Sequence, residues 1–171
     1  MTNADNEIQE GFTILERFPI SVGNIYLVHC HFVDRDRPDS EPSPVILDEV
    51  PLSMRFAFVR PNPRKLVMAM ICEIETEKPY SLEVMYAGEF TMDDDFPEDA
   101  IEDTWKTFSA EVAPIILYPY VREFVSELTN RGRAASLTLP VLFHGFRIDP
   151  ESIELPPARP YPSKQKRKKP R

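Results

Sequence analysis

Three groups of side chains in this sequence have the types that chemistry uses. His29-Cys30-His31 sets two histidines two residues apart, so on a strand both imidazoles point to one side and could share a metal ion. A tetrahedral site needs two further ligands, and His144 is the one histidine left. The alternative is an exposed or partner-facing strand edge. Asp93-Asp94-Asp95 has the spacing of neither a calcium loop nor a two-metal site. The three acids precede Phe96-Pro97, where they complement the positive end of a helix starting at Pro97. Arg122 and Glu123 could pass for catalytic groups, yet adjacent residues on a helix do not face each other, which favours a structural or interface role. There is no glycine-rich phosphate loop, nucleophile elbow or Cys-x-x-Cys pair. The reading is a protein that is not an enzyme, with no cofactor and no metal.

Composition narrows the class further. The 171 residues suit one globular core, and 18 prolines against 5 glycines give stiff loops. The net charge of -8 hides an asymmetry. From Arg159 onward the chain carries seven Lys or Arg and no acid, which leaves 13 bases against all 28 acids and a body near -15. Such a surface disfavours nucleic acid and acidic membranes as partners and favours basic or unfolded polycationic chains. No apolar run has transmembrane length, and the polar, acidic start is no signal peptide. Cys30 and Cys72 sit in apolar strand patterns, as buried thiols of a reducing cytoplasm would.

The elements follow from periodicity. Residues 1–10 read as a flexible N-terminus and 11–18 as a first short strand ended by Pro19. Alternation then runs from Ile20 to Val33, with Ile20, Val22, Tyr26, Val28, Cys30 and Phe32 on one face and Ile25, Leu27, His29, His31 and Val33 on the other. Residues 34–49 form a proline-stiffened polar loop with an apolar patch at Val45, Ile46 and Leu47, either a lid or a partner site. Three more strands alternate, around Leu52 to Phe58, Leu66 to Ile74 and Tyr80 to Phe90, joined by short proline turns. That is the pattern of antiparallel hairpins. Ile101, Trp105, Phe108 and Val112 make a helical stripe. It leads into Ala113 to Gly132, where Ile116, Tyr120, Phe124, Val125 and Leu128 recur at helical spacing around two helix-kinking prolines, Pro114 and Pro119. Gly132 is placed to cap that helix, and an extended segment follows to Phe143. The fold class is α+β: a four-stranded antiparallel sheet with a long proline-kinked helix and a disordered basic C-terminal tail.

That helix also carries a resemblance. Pro114, Leu117, Pro119-Tyr120, Arg122-Glu123, Ser126 and Arg131-Gly132 stand in the order and spacing of the signature helix of the SecB export chaperones. Leu137-Thr-Leu-Pro-Val-Leu-Phe143 looks like the segment that follows it there, one residue shorter. The resemblance spans roughly residues 64–143. It divides the chain into a SecB-like chaperone domain at 11–150 and a proline-rich, basic tail at 151–171. Gly145, Pro150, Pro156 and Pro157 interrupt the region where the family has its C-terminal helix.

The resemblance implies a cytoplasmic, ATP-independent holdase that binds unfolded or export-destined chains, assembled as a homotetramer, a dimer of dimers. It implies a client groove at Val45, Ile46, Leu47, Leu52, Met54, Phe56 and Phe58. It puts an oligomer interface at Leu82, Val84, Tyr86 and Trp105. Glu83 matches one acid of the patch with which the family docks the SecA translocase motor, but His29 and Val33 stand where two other acids are expected. Partners implied are therefore non-native polypeptides and either SecA or, as in some SecB-like proteins, the antitoxin of a toxin–antitoxin pair. From other classes, the rivals are a metal-binding protein using His29 and His31 and a purely structural oligomerisation module.

Overall fold

A computed structural model describes residues 18–34, 52–75, 80–131, 137–139 and 148–159. Four antiparallel strands, β1 (Ile20–Asp34), β2 (Leu52–Asn62), β3 (Lys65–Glu75) and β4 (Tyr80–Met92), form one sheet in the order β1-β4-β3-β2. Two helices, α1 (Ile101–Glu111) and α2 (Ala113–Asn130), cover one face. The residues 11–18 strand, the loop 34–49, Gly132, His144 and the tail beyond Arg159 fall wholly or almost wholly outside the described residues.

The core forms because every second residue of the inner strands is apolar. On β3, Leu66, Met68, Met70, Cys72 and Ile74 are buried, and opposite them on β4 lie Phe90, Gly88, Tyr86, Val84 and Leu82. Gly88 is where α2 crosses closest. A Cβ there would stand 2.9 Å from Cζ of Phe90 and 3.0 Å from Cδ2 of Leu117. Trp105, Phe108 and Phe90 then interlock edge to face, with ring centroids 5.0 and 5.9 Å apart from Phe108.

The β2–β3 turn is fixed by side chains. Asn62 Oδ1 accepts the N–H of Arg64 at 2.9 Å. The Arg64 guanidinium donates to the carbonyls of Asp93 and Phe96, tying this turn to the start of the helical layer. Asp93 to Asp95 are exposed, and a 3-10 turn at Glu98–Ala100 intervenes after Pro97, so the α-helix begins at Ile101, later than the sequence suggested. Neither start is capped by a side-chain hydrogen bond. The acids there act through charge on the helix end.

Two departures from sequence periodicity stand out. β1 carries register shifts between Val22 and Ile25 and between Leu27 and His29. Each is a bulge that resets which face the side chains take. Ile25 therefore packs on the core with Ile20, Cys30 and Phe32, and Tyr26 and Val28, expected beside them, are exposed. Val22, still in phase with Ile20 and opposite Phe90, is exposed because no described residue covers it. The helix, meanwhile, breaks at Val112, and the buried stripe of α2 is Ala113, Leu117, Val121, Val125 and Thr129, rotated by about one residue from the expected one. Ile116, Phe124 and Leu128 flank it, and Tyr120 is 43% exposed. Pro119 lies inside the helix on its exposed side, so water can satisfy the Ile115 carbonyl that it leaves without a donor.

After α2 the chain is held by polar ties. Thr129 Oγ1 donates to Val125 O at 2.8 Å and accepts the N–H of Leu137 at 3.0 Å. Arg122 Nε donates to Leu139 O at 2.7 Å. Leu137 and Leu139 are thereby buried. A 3-10 turn at Pro150–Ser152 packs on α1, Ile153 is buried, and Arg159 N–H donates to Arg60 O at 3.1 Å. No second long helix follows α2 among the described residues.

Candidate functional site

The side chains expected to bind a client lie in one row. Leu52, Met54, Phe56 and Phe58 alternate along β2, an edge strand of the sheet, and pair with Ile74, Cys72, Met70 and Met68 of β3. Each is half-buried and packs against the core under the helical layer, while the intervening Ser53, Arg55, Ala57 and Val59 are exposed on the other face. Strand alternation alone produces this ledge: four large, deformable apolar side chains with a rigid floor beneath them. Val45, Ile46 and Leu47 lie outside the described residues.

The expected oligomer interface needs correction. Leu82 and Val84 project from β4 into the core, and Trp105 is fully buried, its Nε1–H donating to Pro63 O at 2.9 Å. The chain's own helices enclose all three, so none presents surface to a partner. Tyr86 differs: it is half-buried, 6.2 Å from Tyr120 and 5.8 Å from Phe124 between ring centroids. Burial, with Glu123 and Glu127 nearby, pushes its hydroxyl pKa up. Beside this aromatic group runs β1, where Val22, Tyr26, Leu27, Val28 and Val33 are all exposed. Apolar surface of that extent on an edge strand is unusual for an isolated chain. Sequence reasoning missed part of it because the two bulges change which residues from Ile25 onward face out.

The face of the sheet away from the helices holds the charged groups. Arg55 grips Glu73 with two contacts, 3.1 Å from Nε and 2.7 Å from the second nitrogen, and Ser53 donates to the same carboxylate at 3.2 Å. The Arg55 guanidinium, aided by the other donors, holds the Glu73 carboxyl below the usual range. Glu83 lies directly across from Glu73 on one side and from His31 on the other, and His29 Nε2 stands 3.4 Å from it. Both histidines thus share the face of Glu83, as strand geometry requires. Among the described residues, no three His, Cys, Asp or Glu side chains come together as a metal site would need. Arg122 and Glu123 part company: the first is committed to the Leu139 carbonyl, the second is exposed.

Residues 63–146 match the family model described as SecB, preprotein translocase subunit SecB. The Mycobacterium tuberculosis Rv1957 SecB-like chaperone, solved in complex with a ChAD peptide from the Rv1956 HigA1 antitoxin, superposes with a TM-score of 0.53 at 20% identity, covering 83% of this chain and 100% of that one. Residues 63–146 of this chain are thus similar to SecB, and its fold is SecB-like. A protein of unknown function from Streptococcus agalactiae gives a TM-score of 0.39 at 10% identity over 71% of this chain and 97% of that one.

The SecB-like match begins at the β2–β3 turn and takes in β3, β4 and both helices. These are the elements that carry the core. β1 and all of β2, which bear the exposed apolar surface and the ledge, lie outside the matched residues. No helix among the described residues is long and apolar enough to cross a membrane.

Proposed function

We propose that this SecB-like protein is a cytoplasmic, ATP-independent holdase that keeps non-native polypeptides from aggregating. The observation that carries this reading is the ledge of Leu52, Met54, Phe56 and Phe58, half-buried along an edge strand. Methionine and phenylalanine adapt to irregular apolar partners, so such a row suits extended segments of varied sequence. Holding is mass action: each segment binds weakly, and several ledges in one assembly raise the avidity. The exposed apolar residues of β1, with Tyr86, Tyr120 and Phe124 beside them, are the surface proposed to assemble the homo-oligomer. No step of this mechanism needs a catalytic group.

The test is light scattering of a chemically unfolded, aggregation-prone protein diluted with and without this protein, no ATP being added. Suppression at near-stoichiometric amounts is expected. Phe56→Asp weakens it, whereas Val59→Asp, on the opposite face of the same strand, leaves it intact. Equal behaviour of the two variants would sink the ledge as the client site.

A second reading has its own support. The Rv1957 chaperone was solved with an antitoxin peptide, and here His29 and Val33 stand on the face where the family resemblance calls for acids around Glu83. Both features fit a chaperone dedicated to one antitoxin better than one that docks SecA. Such a protein fails to suppress the generic client but protects its own partner from aggregation in the same assay.

A further inference from the structure

A groove of about 590 Å³ opens between the β2–β3 turn and the start of α1, away from the ledge and from the charged sheet face. Its acidic lining is Asp94, Glu98 and Glu102, and its basic lining is Arg60, Arg64 and Lys65. Three acids thus balance three bases in the lining itself. Arg60 binds Glu102 at 2.5 Å, and Arg64 donates to the Asp93 and Phe96 carbonyls. Asp93, Asp95, Asp99 and Asp103, exposed and next in sequence to the lining acids, form the rim and add four carboxylates to a balanced lining, so negative charge prevails.

Two further observations point to a peptide as occupant. Arg60 is only 6% exposed, and its Nε–H, itself buried, has no acceptor among the described residues, so the groove wall holds an unsatisfied donor. The last described residue, Arg159, is bonded through its N–H to the carbonyl of this same Arg60. The chain therefore leaves the described fold at the wall of the groove. The next 12 residues, 160–171, carry Lys164, Lys166, Arg167, Lys168, Lys169 and Arg171 and no acid. Extended, they span up to about 40 Å, so reach is not limiting, and attachment at Arg159 gives them a local concentration of roughly millimolar.

We propose that the groove is the docking site of the chain's own basic C-terminal segment, which latches over Asp94, Glu98 and the rim carboxylates. The latch shields these carboxylates from basic chains at low ionic strength and opens as salt rises. It stands independently of the client ledge, since neither its residues nor its charges overlap with Leu52 to Phe58.

The test is zero-length carbodiimide crosslinking of the full chain, prepared as a mixture of isotopically light and heavy protein and read by mass spectrometry. The expected result at low salt is crosslinks from Lys164, Lys166, Lys168 and Lys169 to Asp94, Glu98 and the rim acids, within one chain. Salt at about 0.5 M suppresses them. The double variant Asp94→Asn/Glu98→Gln, which spares the Arg60 pair, raises the rate of tryptic cleavage in the tail about threefold to tenfold at low salt, the effect of two lost exposed charge pairs. Its circular dichroism melt reports that the fold persists. Crosslinks spread evenly over the acids, concentrated near Glu83, or found mainly between light and heavy chains would overturn the proposal. An unchanged cleavage rate in the double variant would do the same.

Discussion

The indole of Trp105 and the carbonyl of Pro63 meet at 2.9 Å, joining the first helix to the turn between the second and third strands. Trp105 is the one tryptophan of the chain and is fully buried, so its packing and its single polar group are satisfied together. Trp105→Phe removes the donor, leaves the Pro63 carbonyl without it, and opens a void. The expected loss is about 2–3 kcal/mol, read as a lower urea midpoint with an unchanged slope.

Gly88 tests the close approach of α2 to the sheet. Alanine there meets Phe90 and Leu117 at 2.9 and 3.0 Å, and neither ring nor branched methyl has free space in the core. Gly88→Ala is expected to destabilise by about 1–3 kcal/mol through overpacking, despite the better strand propensity of alanine. Thermal melting of the variant decides it.

Leu27 is 41% exposed on β1, opposite Tyr86. If β1 builds the proposed assembly, Leu27→Asp lowers the mass seen by size-exclusion chromatography with light scattering while the circular dichroism spectrum stays the same. Full retention of the assembly would remove β1 as the interface.

Alkali should loosen the core through two buried acids. Burial, with Glu73 nearby, pushes the Cys72 thiol up to about 12, and burial, with Cys72 nearby, lifts the Tyr118 hydroxyl to about 12. The unfolded chain ionises first, near 9 for the thiol, so the folded state holds more protons and stability falls as pH rises toward 12. Each such group contributes a slope of about 1.4 kcal/mol per pH unit across its window. Cys72→Ala flattens the limb between about pH 9 and 10, before tyrosine joins. Denaturation midpoints across that range provide the measurement.

The acid side runs the other way. Because Arg55 lowers the Glu73 carboxyl below its ordinary value of 4.5, this contact stabilises fully above that value and fades as pH falls through the folded one. Arg55→Gln shifts the Glu73 titration upward, toward 4.5, in carboxyl-detected NMR. A titration unmoved by the substitution would assign the shift to other donors.

The sheet was legible because its inner strands alternate cleanly: Leu66 to Ile74 and Leu82 to Phe90 mark one face each, and the prolines mark the turns. The ledge on β2 follows from the same alternation. β1 was not legible in that way. Its two bulges shift the phase of Ile25 and Tyr26, and the local signal was Gly23-Asn24, a glycine inside a strand pattern. The burial of Leu82, Val84 and Trp105 was misjudged for another reason. Alternation says that a face is covered, not whether the chain's own helix or a partner covers it. Arg60 gave no sequence signal at all, since its burial depends on α1 bringing Glu102 across.

The bulges of β1 also bear on how such a protein survives its own stickiness. A 15-residue edge strand with exposed valine, leucine and tyrosine is a template on which further strands could add without limit. Two phase breaks cut that template into short runs whose hydrogen-bonding edges and side-chain faces fall out of step. A second strand can match one run, but it cannot keep register along the whole length. The irregularity is therefore expected to act as a chain terminator: β1 can be paired without the pairing propagating into a fibril.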